Sequence, residues 1–96
     1  MKRETVLRIL AAHRQDLKNF PVKALALFGS VARDEAREDS DVDLLVDFDG
    51  RATFDRYMDL KFFLEECLGW GVDLVTRDAL KPRVRPQVER EAILVA

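Results

Sequence analysis

A chain of 96 residues, 48% hydrophobic and 35% charged, has the composition of one globular domain, with room for a single core over residues 1–96 and none for a second folded unit. No apolar run approaches the roughly 20 residues of a spanning helix, which excludes a membrane-embedded class. A net charge of −2 offers no broad electrostatic grip on nucleic acid, so direct nucleic-acid binding is not expected.

The opening MKRETVLRIL is amphipathic and lacks a signal-peptide cleavage site, which points to the cytoplasm. Val6, Leu10 and Leu17 recur at helical spacing, predicting one helix over residues 3–19 that Pro21 closes. His13 falls among its polar positions and is assigned no role. VKALALF, residues 22–28, is a strand ending at Gly29. Residues 31–38 are polar and allow about two helical turns. DVDLLVDF, residues 41–48, alternates: Val42, Leu44 and Val46 point one way, and Asp41, Asp43 and Leu45 the other. After the Asp49-Gly50 turn, helical spacing returns over residues 53–68, with Gly69 and Gly71 flanking its end. Cys67 lies in this run as a core residue. It has no disulfide partner, and the only histidine is on another element, which argues against a catalytic thiol. VDLVT, residues 72–76, is a third strand carrying Asp73 on the face opposite Val72 and Leu74. A short helix near residues 85–91 and a final strand in AILVA complete the chain. The alternation predicts an α+β fold, an α/β-like sandwich of helices packed on a small mixed sheet.

If the strands of Asp43 and Asp73 are neighbours, Asp41, Asp43 and Asp73 converge on one patch, with Asp41 and Asp43 about 7 Å apart along their strand. At 4 Å and an effective dielectric of 20, each pair of like charges costs about 4 kcal/mol. Either some of them protonate or a cation holds them. Oxygen donors suit Mg²⁺, which bridges carboxylates to a substrate's phosphates. Such an arrangement serves in-line phosphoryl or nucleotidyl transfer. Gly29 and Ser30 supply the complementary half: a glycine directly after a strand permits close backbone approach, and the amides opening the next helix, with the Ser30 hydroxyl, would cradle phosphates.

D-x-D alone is uninformative in so Asp-rich a chain, where it recurs at Asp39/Asp41 and Asp47/Asp49. Gly29-Ser30, ten residues, then Asp41-x-Asp43 is a far rarer combination. It resembles the G-S-x(10)-D-x-D signature of the nucleotidyltransferase superfamily that includes DNA polymerase beta. GSVARDEAREDSDVDLLVDF is most similar to the minimal nucleotidyltransferases, single-domain proteins usually encoded beside a HEPN-domain partner. That resemblance spans essentially the whole chain. It implies a polymerase beta-like nucleotidyltransferase fold and one or two Mg²⁺ ions on Asp41 and Asp43. Asp73 would complete the acidic set and assist the attacking hydroxyl, while Gly29 and Ser30 bind the phosphates of ATP. It further implies an antitoxin that adenylylates a HEPN toxin.

Two positions depart from the family pattern. Asp34 replaces the glycine common after the arginine, and Glu38 replaces a frequent proline; both add negative charge near a triphosphate site. Asp34 can still adopt a glycine-like turn conformation. Arg33 is either a phosphate or partner contact, or one half of a surface ion pair with Glu35, Glu38 or another nearby acid. Arg77, Lys81, Arg83, Arg85 and Arg90 could bind an acceptor, a partner or RNA, although interspersed acids favour a solvated surface. Nothing after Asp73 is long enough to form an acceptor-presenting domain, so the acceptor hydroxyl is expected from a second protein. The competing expectation is a weak or inactive module that neutralises its partner by docking alone. A sugar-transferring D-x-D enzyme would need a longer chain.

Overall fold

Two apolar alternations, VKALALF and VDLLVDF, become the central strands of the sheet. The computed structural model describes residues 1–96. In chain order the elements are α1 (Arg3–Ala12), α2 (Arg14–Leu17), β1 (Val22–Phe28), α3 (Gly29–Ala32), β2 (Val42–Phe48), α4 (Phe54–Leu68), β3 (Val72–Thr76), a 3-10 turn (Arg77–Ala79), α5 (Arg85–Glu91) and β4 (Ile93–Leu94). The sheet order is β3-β2-β1-β4. β1 is antiparallel to β2 and β4, whereas β2 and β3 are parallel. A parallel pair requires a crossover, and α4 provides it.

The alternation in β2 sorts its side chains as expected. Val42, Leu44 and Val46 are fully buried in the main core with Val6, Leu10, Leu25, Leu27, Leu60 and Leu64, between the sheet and helices α1 and α4. The opposite face is partly roofed by α5 and the 3-10 turn, where Leu45, Leu80 and Val88 form a second, smaller core. The result is the expected α+β sandwich, with one face of the sheet only half covered.

Two helical expectations are revised. The single helix predicted over residues 3–19 breaks at His13 (φ −103°, ψ 15°), where the His13 N–H reaches the Leu10 carbonyl three residues back, a tighter turn than the α-helix. Leu17 remains buried beyond the break. The two turns expected over residues 31–38 shrink to the single turn of α3, because Asp34 takes a left-handed conformation (φ 57°) that ends it. No helix is long and apolar enough to cross a membrane.

Candidate active site

Strand register sets the positions of the acids. Asp43 lies opposite Asp73 in the parallel β2–β3 pair, so both carboxyl groups rise side by side from the face away from the main core. They stand within hydrogen-bond reach of one another, a contact that favours a shared proton or a cation over two free charges. Burial, followed by the charge and hydrogen bond of Asp73 and the charge of Asp41, pushes Asp43 up to about 6, while the Ser30 amide donating to it acts in the opposite direction.

Asp41 precedes β2 and is exposed. Its Oδ1 lies 2.5 Å from where a Cβ on Gly71 would project. The Val42 N–H donates to the Gly71 carbonyl at 2.9 Å, and the Trp70 indole N–H donates to the Ser40 carbonyl at 2.7 Å. Residues 70 and 71 therefore fix the backbone in front of β2, and Gly71 leaves the space that the Asp41 carboxylate occupies. Sequence spacing places Gly71 only at a helix end. Its role as a seat for Asp41 follows once Asp43 and Asp73 are put in register, because Gly71 then falls opposite Asp41.

The acids form a close pair with a third charge beside them, rather than a closed cage: no group of three His, Cys, Asp or Glu side chains is arranged to hold a metal ion. The donor set nevertheless suits a hard cation. It consists of oxygen alone, and the repulsion between Asp43 and Asp73 when both are ionised is what a cation between them would relieve.

Gly29 is needed at its position twice over. Its φ of 74° disfavours any side chain, and a Cβ there would fall on Oδ2 of Asp43. The expectation that the amides of this turn stand open for phosphate is revised. The Gly29 N–H donates to Glu91 Oε1 at 3.2 Å, and the Ser30 N–H donates to Asp43. The Ser30 hydroxyl carries no hydrogen bond within the chain and is the remaining donor of the pair. Arg33 is ion-paired, with Nε 3.3 Å from Glu35 and Nη1 3.1 Å from both oxygens of Glu91. Glu35 was one of its expected partners; Glu91, 62 residues from Gly29, carries no local signal.

The substitutions that raised the acidity of this region lie differently. Asp34 adopts the glycine-like conformation expected of it, and its carboxylate pairs with Arg3 at 3.2 Å and accepts from the Arg3 amide at 3.1 Å. Glu38 is exposed. Two of the five members of the basic cluster are engaged in structure: Arg77 pairs with Glu89 at 2.7 Å, and Arg85 donates to the carbonyls of Arg77 and Leu80. Cys67 is only partly buried rather than a core residue. It lines a surface pocket with His13, Asp16, Phe63 and Glu66, and burial, Asp16 and Glu66 raise its pKa, which keeps the thiol protonated and unreactive.

Residues 9–95 match the model of the nucleotidyltransferase domain family. The protein adenylyltransferase MntA of Thermococcus cleftensis is 42% identical over 93 residues, covering 96% of this chain and 94% of the relative. A solved structure described as a candidate minimal nucleotidyltransferase superposes with a TM-score of 0.83 at 45% identity, covering 97% of this chain and 95% of that one. A chain from the complex of tri-AMPylated Shewanella oneidensis HEPN toxin with MNT antitoxin shares the fold, with a TM-score of 0.67 at 20% identity, covering 94% of this chain and 71% of that one.

Proposed function

We propose that this chain, which belongs to the nucleotidyltransferase domain family, is a single minimal domain over residues 1–96 that acts in the cytoplasm and transfers AMP from ATP to a hydroxyl on a HEPN-domain toxin. The observation that carries this reading is the Asp43–Asp73 pair beside the Gly29–Ser30 turn. The 42% identity to an MntA protein adenylyltransferase supports AMP as the transferred group, and the HEPN–MNT complex suggests the class of partner.

In this reading Asp41 and Asp43, with Asp73 beside them, would hold Mg²⁺. When bound, the ion would offset charge on the phosphate being transferred. Asp73 is exposed on β3, an edge strand of the sheet, and the acceptor approaches there. Its carboxylate takes the proton of the incoming hydroxyl as the new oxygen–phosphorus bond forms and the bond to the β-phosphate breaks, releasing pyrophosphate. The Ser30 hydroxyl donates to a phosphate oxygen, and Gly29 leaves room for the approach.

Incubation with α-labelled ATP, Mg²⁺ and the HEPN protein should label the partner, and Asp41→Asn/Asp43→Asn should not. If that double variant still suppresses the partner, docking alone is the function. The role of Gly71 gives a separate test. Its backbone conformation is ordinary and the atom in its way is the tip of an exposed side chain, so Gly71→Ala should fold with a melting temperature within a few degrees of the parent. It should displace the Asp41 carboxylate and reduce transfer about 10²-fold, the scale of a misplacement of about 1 Å. Label transfer measured beside a thermal melt checks both.

A further inference from the structure

We propose that Glu91 is a positioning residue for the nucleotide: its carboxylate clamps the Gly29 amide and the Arg33 guanidinium together, so that the unused edge of Arg33 is presented to phosphate. The inference rests on the nucleotidyltransferase reading and extends it to a residue at the far end of the chain.

Glu91 is the last residue of α5. Its side chain is 18% exposed, against 41% for Arg33. One oxygen accepts from the Gly29 N–H, and both accept from Arg33 Nη1. A guanidinium has five N–H donors in a fixed fork. Glu35 takes Nε, and Glu91 takes Nη1. The two N–H groups on Nη2 have no partner within the chain. They sit on a long side chain that two carboxylates have already ordered, four residues from Gly29. A phosphate binding there need not supply the entropy of ordering that side chain. The same carboxylate ties α5 to the backbone that packs against Asp43, so the phosphate-side and acid-side halves of the site share one strut.

Simple electrostatics makes the opposite forecast. Glu91 is an anion beside the site of an anionic ligand, so removing its charge should tighten ATP binding. Positioning requires that Glu91→Gln weaken it, because the amide cannot hold Arg33 as an ion pair does.

The experiment is calorimetric titration of ATP with Mg²⁺ into the full chain and into Glu91→Gln, Glu91→Asp, Arg33→Ala and the Glu91→Gln/Arg33→Ala double variant, each with a thermal melt. Glu91→Gln should weaken ATP about fivefold, the scale of ordering one long side chain. Arg33→Ala should weaken it at least as much, and the double variant no further than Arg33→Ala. Glu91→Asp should recover part of the affinity. Equal or tighter binding by a folded Glu91→Gln, or additive losses in the double variant, overturns the proposal while leaving the nucleotide reading intact. If Glu91→Gln does not fold, an Arg33→Ala variant that folds and binds ATP as the parent does overturns it. Absence of ATP binding by the parent chain overturns the nucleotide reading and this proposal together.

Discussion

Asp43→Asn is expected to lose nucleotidyl transfer by about 10²- to 10³-fold, the scale of removing one preorganised charge-stabilising group, and to make the fold more stable above pH 6. The two effects share a cause. Asp43 is half-buried beside Asp73, and its pKa is raised from 3.8 to about 6. An acid whose folded pKa exceeds its unfolded value holds its proton more tightly when folded, so stability falls as pH rises from about 4 to about 6 and stays lower above that window. A shift of this size corresponds to about 3 kcal/mol in full, which partial exposure and solvent screening reduce to about 1 to 2 kcal/mol. Asparagine carries no charge to desolvate and can still accept from the Ser30 amide. Urea unfolding of parent and variant at pH 3, below both pKa values, and at pH 8 should show Asp43→Asn gaining about 1 to 2 kcal/mol over the parent at the higher pH relative to the lower. A difference that does not change with pH would mean that the pair is not strained by its own charge.

That strain explains which parts of the site can be read from sequence. Alternation in residues 41–48 separates Val42, Leu44 and Val46 from Asp43, and the same alternation in residues 72–76 separates Val72 and Leu74 from Asp73. Period-2 patterns are local, so strands β1, β2 and β3 and the face on which the acids lie follow from the alternation alone. What the sequence does not announce is what fills the space around those acids. Leu45 points with Asp43, yet is buried under Leu80 and Val88, because α5 and the 3-10 turn fold back over half of that face. A helix of seven residues gives no sign of where it will dock. Glu91 reaches Gly29 across that same docking, and Gly71 meets Asp41 only through the β2–β3 register. His13 and Cys67, on separate elements, line one pocket for the same reason. Each depends on long-range placement, where local propensity and periodicity carry no information.

The two helix corrections have a local origin. Asp34 was recognisable as a residue able to adopt a left-handed conformation, but the consequence, that α3 stops after Ala32, appears only once φ is 57° at that position. The charge that Asp34 brings is then drawn toward Arg3 on α1. The acidic departure from the family pattern is thereby offset by a residue 31 positions away.

Gly29→Ala should disable the site and weaken the fold together, by a route that a second substitution can separate. A left-handed φ of 74° costs an L-residue about 1 to 2 kcal/mol. The new Cβ would also fall on Asp43 Oδ2, and the carboxylate has little freedom to retreat, with Asp73 beside it and the Ser30 amide donating to it. The turn must instead move away, loosening the Glu91 contact to the Gly29 amide. Overpacking of this kind adds about 1 to 3 kcal/mol, for a total of about 2 to 5 kcal/mol. In an Asp43→Ala background the carboxylate is gone and only the Cβ of residue 43 remains, 3.0 Å from the new Cβ, so most of the overpacking is relieved and the conformational cost dominates. The stability cost of Gly29→Ala should therefore fall to about 1 to 2 kcal/mol, and the difference between the two backgrounds is the coupling between the glycine and the carboxylate. Equal costs in both backgrounds would show that Gly29 is required for its conformation alone. A reduced cost would show that Gly29 is also required for the room it leaves, and that the turn and the acid must be placed as one unit for either to meet a nucleotide.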